Sequence, residues 1–159
     1  MKQKDIPTTN AIRHLKNSKV NFEAFEYEYQ EKGGTAQTAS ELGVEEHSVV
    51  KTLVFDADDE LVIVLMHGDK EVSTKELSRV LGVKQSKPAD QRKAMNATGY
   101  QFGGTSPFGL RKKIPIFVEE TIFDLNEIYI NGGKRGLIVK ILSSDLEKLI
   151  EFRKVKVGI

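Results

Sequence analysis

Lys51 is the residue of this chain best placed to do chemistry. In Val49-Val50-Lys51-Thr52-Leu53-Val54-Phe55 the two-residue period of a strand puts it on the face of Val49, Leu53 and Phe55. A charge on an apolar face costs free energy unless something offsets it. Such a lysine is either a snorkelling side chain or a positioned cation. A second candidate is the run Gly103-Gly104-Thr105-Ser106-Pro107-Phe108-Gly109. Its glycines let backbone approach a ligand closely and turn amide N–H groups toward one point. A carboxylate, a phosphate or an acyl-transfer oxyanion would be held there. Thr105 and Ser106 add hydroxyls and Pro107 stiffens the run, although the same residue types make plain turns. It fits neither the dinucleotide fingerprint nor the phosphate-loop pattern. The third is Asn131-Gly132-Gly133-Lys134-Arg135-Gly136, an Asn-Gly turn with a basic tip. Its Lys134 and Arg135 join Arg111, Lys112 and Lys113 as candidate phosphate contacts.

Other chemistries find less support. His14, His47 and His67 show no metal-ligand spacing, and the chain has no cysteine, which removes thiolate metal sites, disulfides and Cys nucleophiles. No metal and no cofactor is expected. A hydrolase with Ser106 as nucleophile would need a histidine and a carboxylate within its reach. The aromatic residues from Phe22 to Tyr29 read as core rather than as a stacking platform.

The elements that must position these residues are short strands mixed with short helices. Thr8 or Thr9 caps a helix through Ala11, Ile12 and Leu15 that ends near Asn17 and Ser18. Phe25, Tyr27 and Tyr29 alternate with glutamates as in a half-buried strand, and Thr38-Ala39-Ser40-Glu41 reads as a capping box for a helix stopped at Gly43. Two apolar runs, 49–55 and 61–66, flank an Asp-rich turn and predict a hairpin, the second run being apolar on both faces. Ser73 opens a helix that Gly82 stops, and a further helix is expected over 88–98 with Gly99 as its stop. Strands are expected over 114–118, 127–130 and 137–142, and a last helix from Ser144 to near Phe152. The fold class is α/β: one domain with a mixed, curved or barrel-like sheet flanked by short helices.

A chain of 159 residues with 39% apolar residues can bury the core of one domain. Its 24 basic and 23 acidic side chains leave a net charge of +1, which excludes a strongly basic nucleic-acid coat but not a local basic patch. Nothing approaches the roughly 18 consecutive apolar residues of a membrane helix, and Met1-Lys2-Gln3-Lys4-Asp5 is followed by no signal-peptide core. A cytoplasmic protein with no membrane partner is expected.

Taken together, the motifs resemble the YbaK/EbsC family of aminoacyl-tRNA deacylases, relatives of the editing domain of some prolyl-tRNA synthetases. The resemblance is carried by Val50-Lys51-Thr52-Leu53-Val54, by Thr98-Gly99-Tyr100 leading into the 103–109 run, and by Tyr129-Ile130-Asn131 through Gly136-Leu137. It extends over nearly the whole chain, so residues 1–159 are expected to form a single deacylase domain. The resemblance implies a trans-editing hydrolase for mischarged aminoacyl-tRNA, with Lys51 as the catalytic residue. It implies Tyr27, Gly103, Gly104, Thr105, Ser106 and Pro107 as substrate-binding residues. Aminoacyl-tRNA and prolyl-tRNA synthetase are the implied partners. For a cysteinyl substrate it further implies attack by the substrate's own thiol. Val50 stands where the cysteinyl type often has an aromatic residue, and Phe108-Gly109-Leu110 resembles the alanyl-editing branch. Cys-tRNA(Pro) is the first expectation for the substrate. The alternatives are another small amino acid such as Ala, or a non-catalytic RNA- or nucleotide-binding module.

Overall fold

The computed structural model describes residues 6–159; the stretch Met1 to Asp5, read above for a signal core, lies outside the described residues. Eight strands form one mixed sheet: β1 (Glu23–Glu26), β2 (Val49–Ala57), β3 (Glu60–His67), β4 (Ser86–Pro88), β5 (Ile116–Glu119), β6 (Glu127–Asn131), β7 (Leu137–Leu142) and β8 (Arg153–Val155). The α-helices are α1 (Asn10–Asn17), α2 (Gly34–Leu42), α3 (Thr74–Leu81), α4 (Gln91–Thr98) and α5 (Leu146–Leu149).

The β2–β3 hairpin is the spine. Its strands pair antiparallel from Val50 opposite His67 to Ala57 opposite Glu60. Asp58 and Asp59 both turn with positive φ, and the Asp58 carboxylate accepts hydrogen bonds from the Lys84 and Gln85 amides, which steers the chain into β4. β3 is covered on both faces, as its unbroken apolar run predicts. Ile63 and Leu65 join the larger core with α1, β6, β7 and α5, whereas Val62, Val64 and Met66 face Leu77 of α3 and Val155 of β8. The strand order is β1-β7-β6-β2-β3-β5-β8, with β4 attached to β2. The mixed sheet is as expected, but it does not close into a barrel: β1 and β8 end the pairing order.

Local chemistry sets the helix ends. The Thr9 hydroxyl accepts the Ile12 amide, Ser73 accepts Glu76, and Asp90 accepts Lys93, while Gly43, Gly82 and Gly99 end their helices in the left-handed conformation. Several boundaries differ from expectation. α2 starts at Gly34, so Thr38 lies inside the helix and caps nothing. The early strand ends at Glu26, before Tyr27 and Tyr29. Pro88 belongs to β4, and the helix opens after Asp90. The last helix stops at Leu149, and the chain then adds β8. No helix among the described residues is long and apolar enough to cross a membrane.

One feature of the sheet places the site. β6 runs beside β2 only at Val49 and Val50, and β4 joins it only from Phe55 to Ala57. Between them the edge of β2 has no strand partner on that side among the described residues; the Ala89 amide reaches the Val54 carbonyl, and Lys51 to Leu53 are left open.

Candidate functional site

A cavity of about 600 Å³ fills that gap. Its floor is Val49, Val50, Lys51 and Thr52 of β2. The N-terminal turn of α2 forms one wall with Gly34, Thr35 and Thr38, and Tyr27 and Tyr29 stand beside it. Phe102, Gly103 and Thr105 line it with Asn131 and Arg135, and Gly103 and Arg135 pack against Tyr29.

Lys51 is half-buried and opens on the cavity. Leu53 and Phe55, on its face of the strand, pack into the second core, so the ammonium stands at the end of an apolar stripe. Its Nζ donates to the Gly68 carbonyl at 3.4 Å and makes no ion pair among the described residues. The same carbonyl accepts from the Thr35 hydroxyl at 3.2 Å, and Thr35 also lies 2.7 Å from a Glu46 carboxylate oxygen. Thr52 adds a buried hydroxyl that has no hydrogen-bond partner among the described residues. An unpaired buried hydroxyl is costly. Tyr27 shares a 2.7 Å hydrogen bond with Thr38. Burial pushes the Tyr27 phenol above its usual range, only partly offset by Thr38, so it stays protonated near neutrality. Tyr27, implied by the resemblance as a substrate-binding residue, and Tyr29 both line the cavity, although the aromatic run from Phe22 to Tyr29 read as core from its pattern alone.

The 103–107 loop is internally bonded. Gly104 N donates to Gln101 O at 2.9 Å, and the buried Ser106 hydroxyl accepts Phe108 N at 3.2 Å. Tyr100, buried in the core, donates its hydroxyl to the Phe108 carbonyl. Gly103 has φ +88°, and a Cβ there would lie 2.6 Å from the Tyr29 hydroxyl. Of the five loop residues singled out, Gly103 and Thr105 touch the cavity, while Gly104, Ser106 and Pro107 are buried behind them. Gly104 is small for a different reason than ligand approach: a Cβ would lie 2.7 Å from the Arg135 backbone nitrogen. Ser106 bonds neither a histidine nor a carboxylate among the described residues, so the serine-hydrolase alternative fails on geometry.

The basic residues divide. Arg135 reaches the cavity; its guanidinium lies over the Tyr29 ring at 5.1 Å, and its Nε donates to Phe102 O at 2.8 Å. Lys134 pairs with Glu26 at 3.5 Å. Arg111 donates to Asn96 O at the end of α4, Lys112 is exposed, and Lys113 faces Glu151 at 4.0 Å; none of these three lines the cavity.

Two histidines unlinked in sequence meet behind Lys51. His47 and His67 stack with ring centroids 3.7 Å apart, and His47 bonds Asp69 at 2.9 Å. His67 is fully buried, with Nδ1 bonded to His47 O and Nε2 to Thr121. Nδ1 must donate to that carbonyl, so Nε2 accepts from the threonine hydroxyl. Parallel rings send their in-plane lone pairs side by side, and both nitrogens of His67 are engaged, so the cluster does not converge on a metal ion. It braces Gly68, the residue whose carbonyl meets Lys51. The sequence carried no signal for this, because the contact joins the turn before β2 to the end of β3. Thr35, Thr52 and Phe102 were missed for the same reason: the cavity exists only where β6 and β4 fail to meet.

Residues 31–149 match the model of the aminoacyl-tRNA editing domain family. Over 142 residues the chain is 30% identical to a protein of Enterococcus faecalis provisionally named Cys-tRNA(Pro)/Cys-tRNA(Cys) deacylase EbsC, covering 88% of this chain and 87% of that one. It is 27% identical over 126 residues to a proline–tRNA ligase of Ligilactobacillus salivarius, a match spanning 77% of this chain but 22% of the ligase. A crystal structure provisionally described as a trans-editing enzyme for prolyl-tRNA synthetase superposes with a TM-score of 0.85 at 19% identity, over 97% of this chain and 99% of that one, and so shares the fold. The chain belongs to the aminoacyl-tRNA editing domain family.

Proposed function

We propose that this member of the editing family is a trans-acting deacylase that hydrolyses the ester of mischarged aminoacyl-tRNA, with Cys-tRNA(Pro) as substrate. The observation that carries this reading is Lys51: a half-buried ammonium on an open strand edge, facing a cavity, with one long hydrogen bond to a carbonyl. An aminoacyl ester is already activated, so the protein need only orient it and stabilise charge developing on the carbonyl oxygen. Lys51 donates to that oxygen. Gly103 and Thr105 contact the ribose, with Gly104, Ser106 and Pro107 holding them in place. The Tyr27–Thr38 hydroxyl pair forms the polar wall against the acyl group.

The nucleophile in this reading is the substrate's own thiol. It attacks the ester carbon, the carbon–oxygen bond to the ribose breaks, the ribose oxygen leaves with the thiol's proton, and water then opens the released cysteine thiolactone to the free amino acid. The enzyme therefore needs no serine or cysteine of its own, and no lining hydroxyl is bonded to a histidine among the described residues. Arg135, Lys134, Arg111, Lys112 and Lys113 contact tRNA phosphates, Arg135 nearest the cavity. Residues 1–159 act as one deacylase domain in the cytoplasm, with prolyl-tRNA synthetase as the partner that releases the substrate. Support for the cysteinyl choice is the name of the Enterococcus faecalis relative. The alanyl-like Phe108 does not weigh against it, because that side chain is fully buried and lies outside the cavity lining.

The test is deacylation of Cys-, Ala-, Ser- and Pro-charged tRNAs side by side. Fastest hydrolysis of Cys-tRNA(Pro) is expected. Preference for Ala-tRNA would move the substrate, and binding without hydrolysis of any of the four would make the protein an RNA-binding module.

A further inference from the structure

Phe102 breaks the rule that the rest of the site obeys. It is 58% exposed, and it is the only aromatic among the large apolar side chains left exposed in the described residues. A lone exposed apolar residue on a mobile loop needs no explanation. This loop is fixed on both sides of the ring. Gly104 N closes on Gln101 O, Arg135 Nε holds the Phe102 carbonyl, and Asn131 Nδ2 donates to Gly103 O at 3.4 Å. Gly103, with its positive φ, fits against the Tyr29 hydroxyl. The fold thus spends several contacts on holding a bare ring at the rim of the cavity.

Its neighbour is equally unfinished. The Arg135 guanidinium is oriented by the Tyr29 face and by its Nε bond, yet neither Nη carries a hydrogen bond among the described residues. A fixed aromatic ring beside a fixed, half-used guanidinium is the arrangement that grips one nucleotide: the ring stacks on the base and the fork pairs with a phosphate. Every tRNA ends in an adenosine whose ribose carries the aminoacyl ester.

We propose that Phe102 is the stacking platform for the terminal adenine and that Arg135 takes the phosphate on its 5′ side. The base stays at the rim, and the ester-bearing ribose enters between Gly103 and Lys51. This rests on the reading of the cavity as an aminoacyl-tRNA site, and it assigns the binding of the substrate's end to two side chains outside the reacting centre.

The chain contains no tryptophan, so Phe102→Trp places a single indole at the rim. Titration of that variant with AMP and with a CCA trinucleotide is expected to quench its fluorescence saturably, and ribose 5-phosphate is expected to leave it unchanged. In deacylation, Phe102→Ala raises KM roughly 5- to 150-fold, the range for loss of one base stack, and raises it more than it lowers kcat. Phe102→Tyr restores KM, and Phe102→Leu, apolar but without a π face, does not. No quenching by either nucleotide, or rescue by Leu equal to Tyr, overturns the platform. An unchanged KM in an active Phe102→Ala protein overturns it while leaving the deacylase reading intact. Saturable quenching by AMP in a protein that hydrolyses no aminoacyl-tRNA upholds the platform and removes the deacylase reading instead.

Discussion

Among the described residues Lys51 makes one long hydrogen bond and no ion pair, so the folded protein gains little from its charge. Lys51→Ala should change stability by no more than about 1 kcal/mol in urea unfolding, in the neutral or stabilising direction. If the ammonium were a structural anchor, the same variant would lose several times that. Lys51→Arg should also fail in catalysis. A planar fork on a longer stem cannot place one donor where a compact ammonium stood, and the Gly68 carbonyl offers it only a single acceptor. Because Lys51 is read as a donor and not as a nucleophile, mass spectrometry of the protein quenched during turnover should show no acyl-lysine. An adduct on Lys51 would replace the donor role with a covalent one.

At the scale of elements, the 103–107 loop and the turn between β6 and β7 form one unit. Gly104 packs directly on the backbone of Lys134 and Arg135, where an added Cβ would lie 2.7 Å from a nitrogen. Gly104→Ala should therefore push the two loops apart and cost roughly 1–3 kcal/mol, a typical overpacking penalty. Urea unfolding measures this directly, and unchanged stability with lost activity would return Gly104 to a direct role at the ligand. Much of this architecture could be read in the sequence. The β-branched runs and the Asp turn declared the β2–β3 hairpin, and Ser73, Gly82 and Gly99 marked helix ends because caps need particular side chains or a left-handed residue. Two strands were invisible: β4 and β8 have three residues each, too few to show a period. The start of α2 was hidden by Gly33 and Gly34, which read as breakers, while the Thr38 hydroxyl that suggested a cap is taken by Tyr27. Lys51 stood out because a charge interrupts an apolar pattern. Thr35, Thr52 and Phe102 interrupt nothing, and only the long-range gap along β2 gives them a common cavity.

For the whole molecule, the fully buried His67 ties a ligandable edge to global stability. Burial holds its pKa below the usual histidine value, so the folded state favours the neutral ring and the unfolded state binds the extra proton. Stability from this group is complete above the unfolded value near 6.5 and is lost as pH falls from there through the lowered folded value. Unfolding free energies measured from pH 7.5 downward should fall more steeply for the wild type than for His67→Gln, which cannot titrate; equal slopes would show that His67 is not the group responsible. The same brace fixes Gly68, so the mildly acidic loss of stability should be accompanied by loss of the Lys51 site. The measurement that bears most directly on the account is single-turnover hydrolysis of Cys-tRNA(Pro) by wild type and Lys51→Ala under identical conditions, with folding of both checked by circular dichroism. The account predicts rapid hydrolysis by the wild type and a loss of roughly 10²-fold or more in a folded Lys51→Ala protein, the scale of removing one oxyanion donor. Equal rates for the two proteins, or no hydrolysis by either, would contradict it.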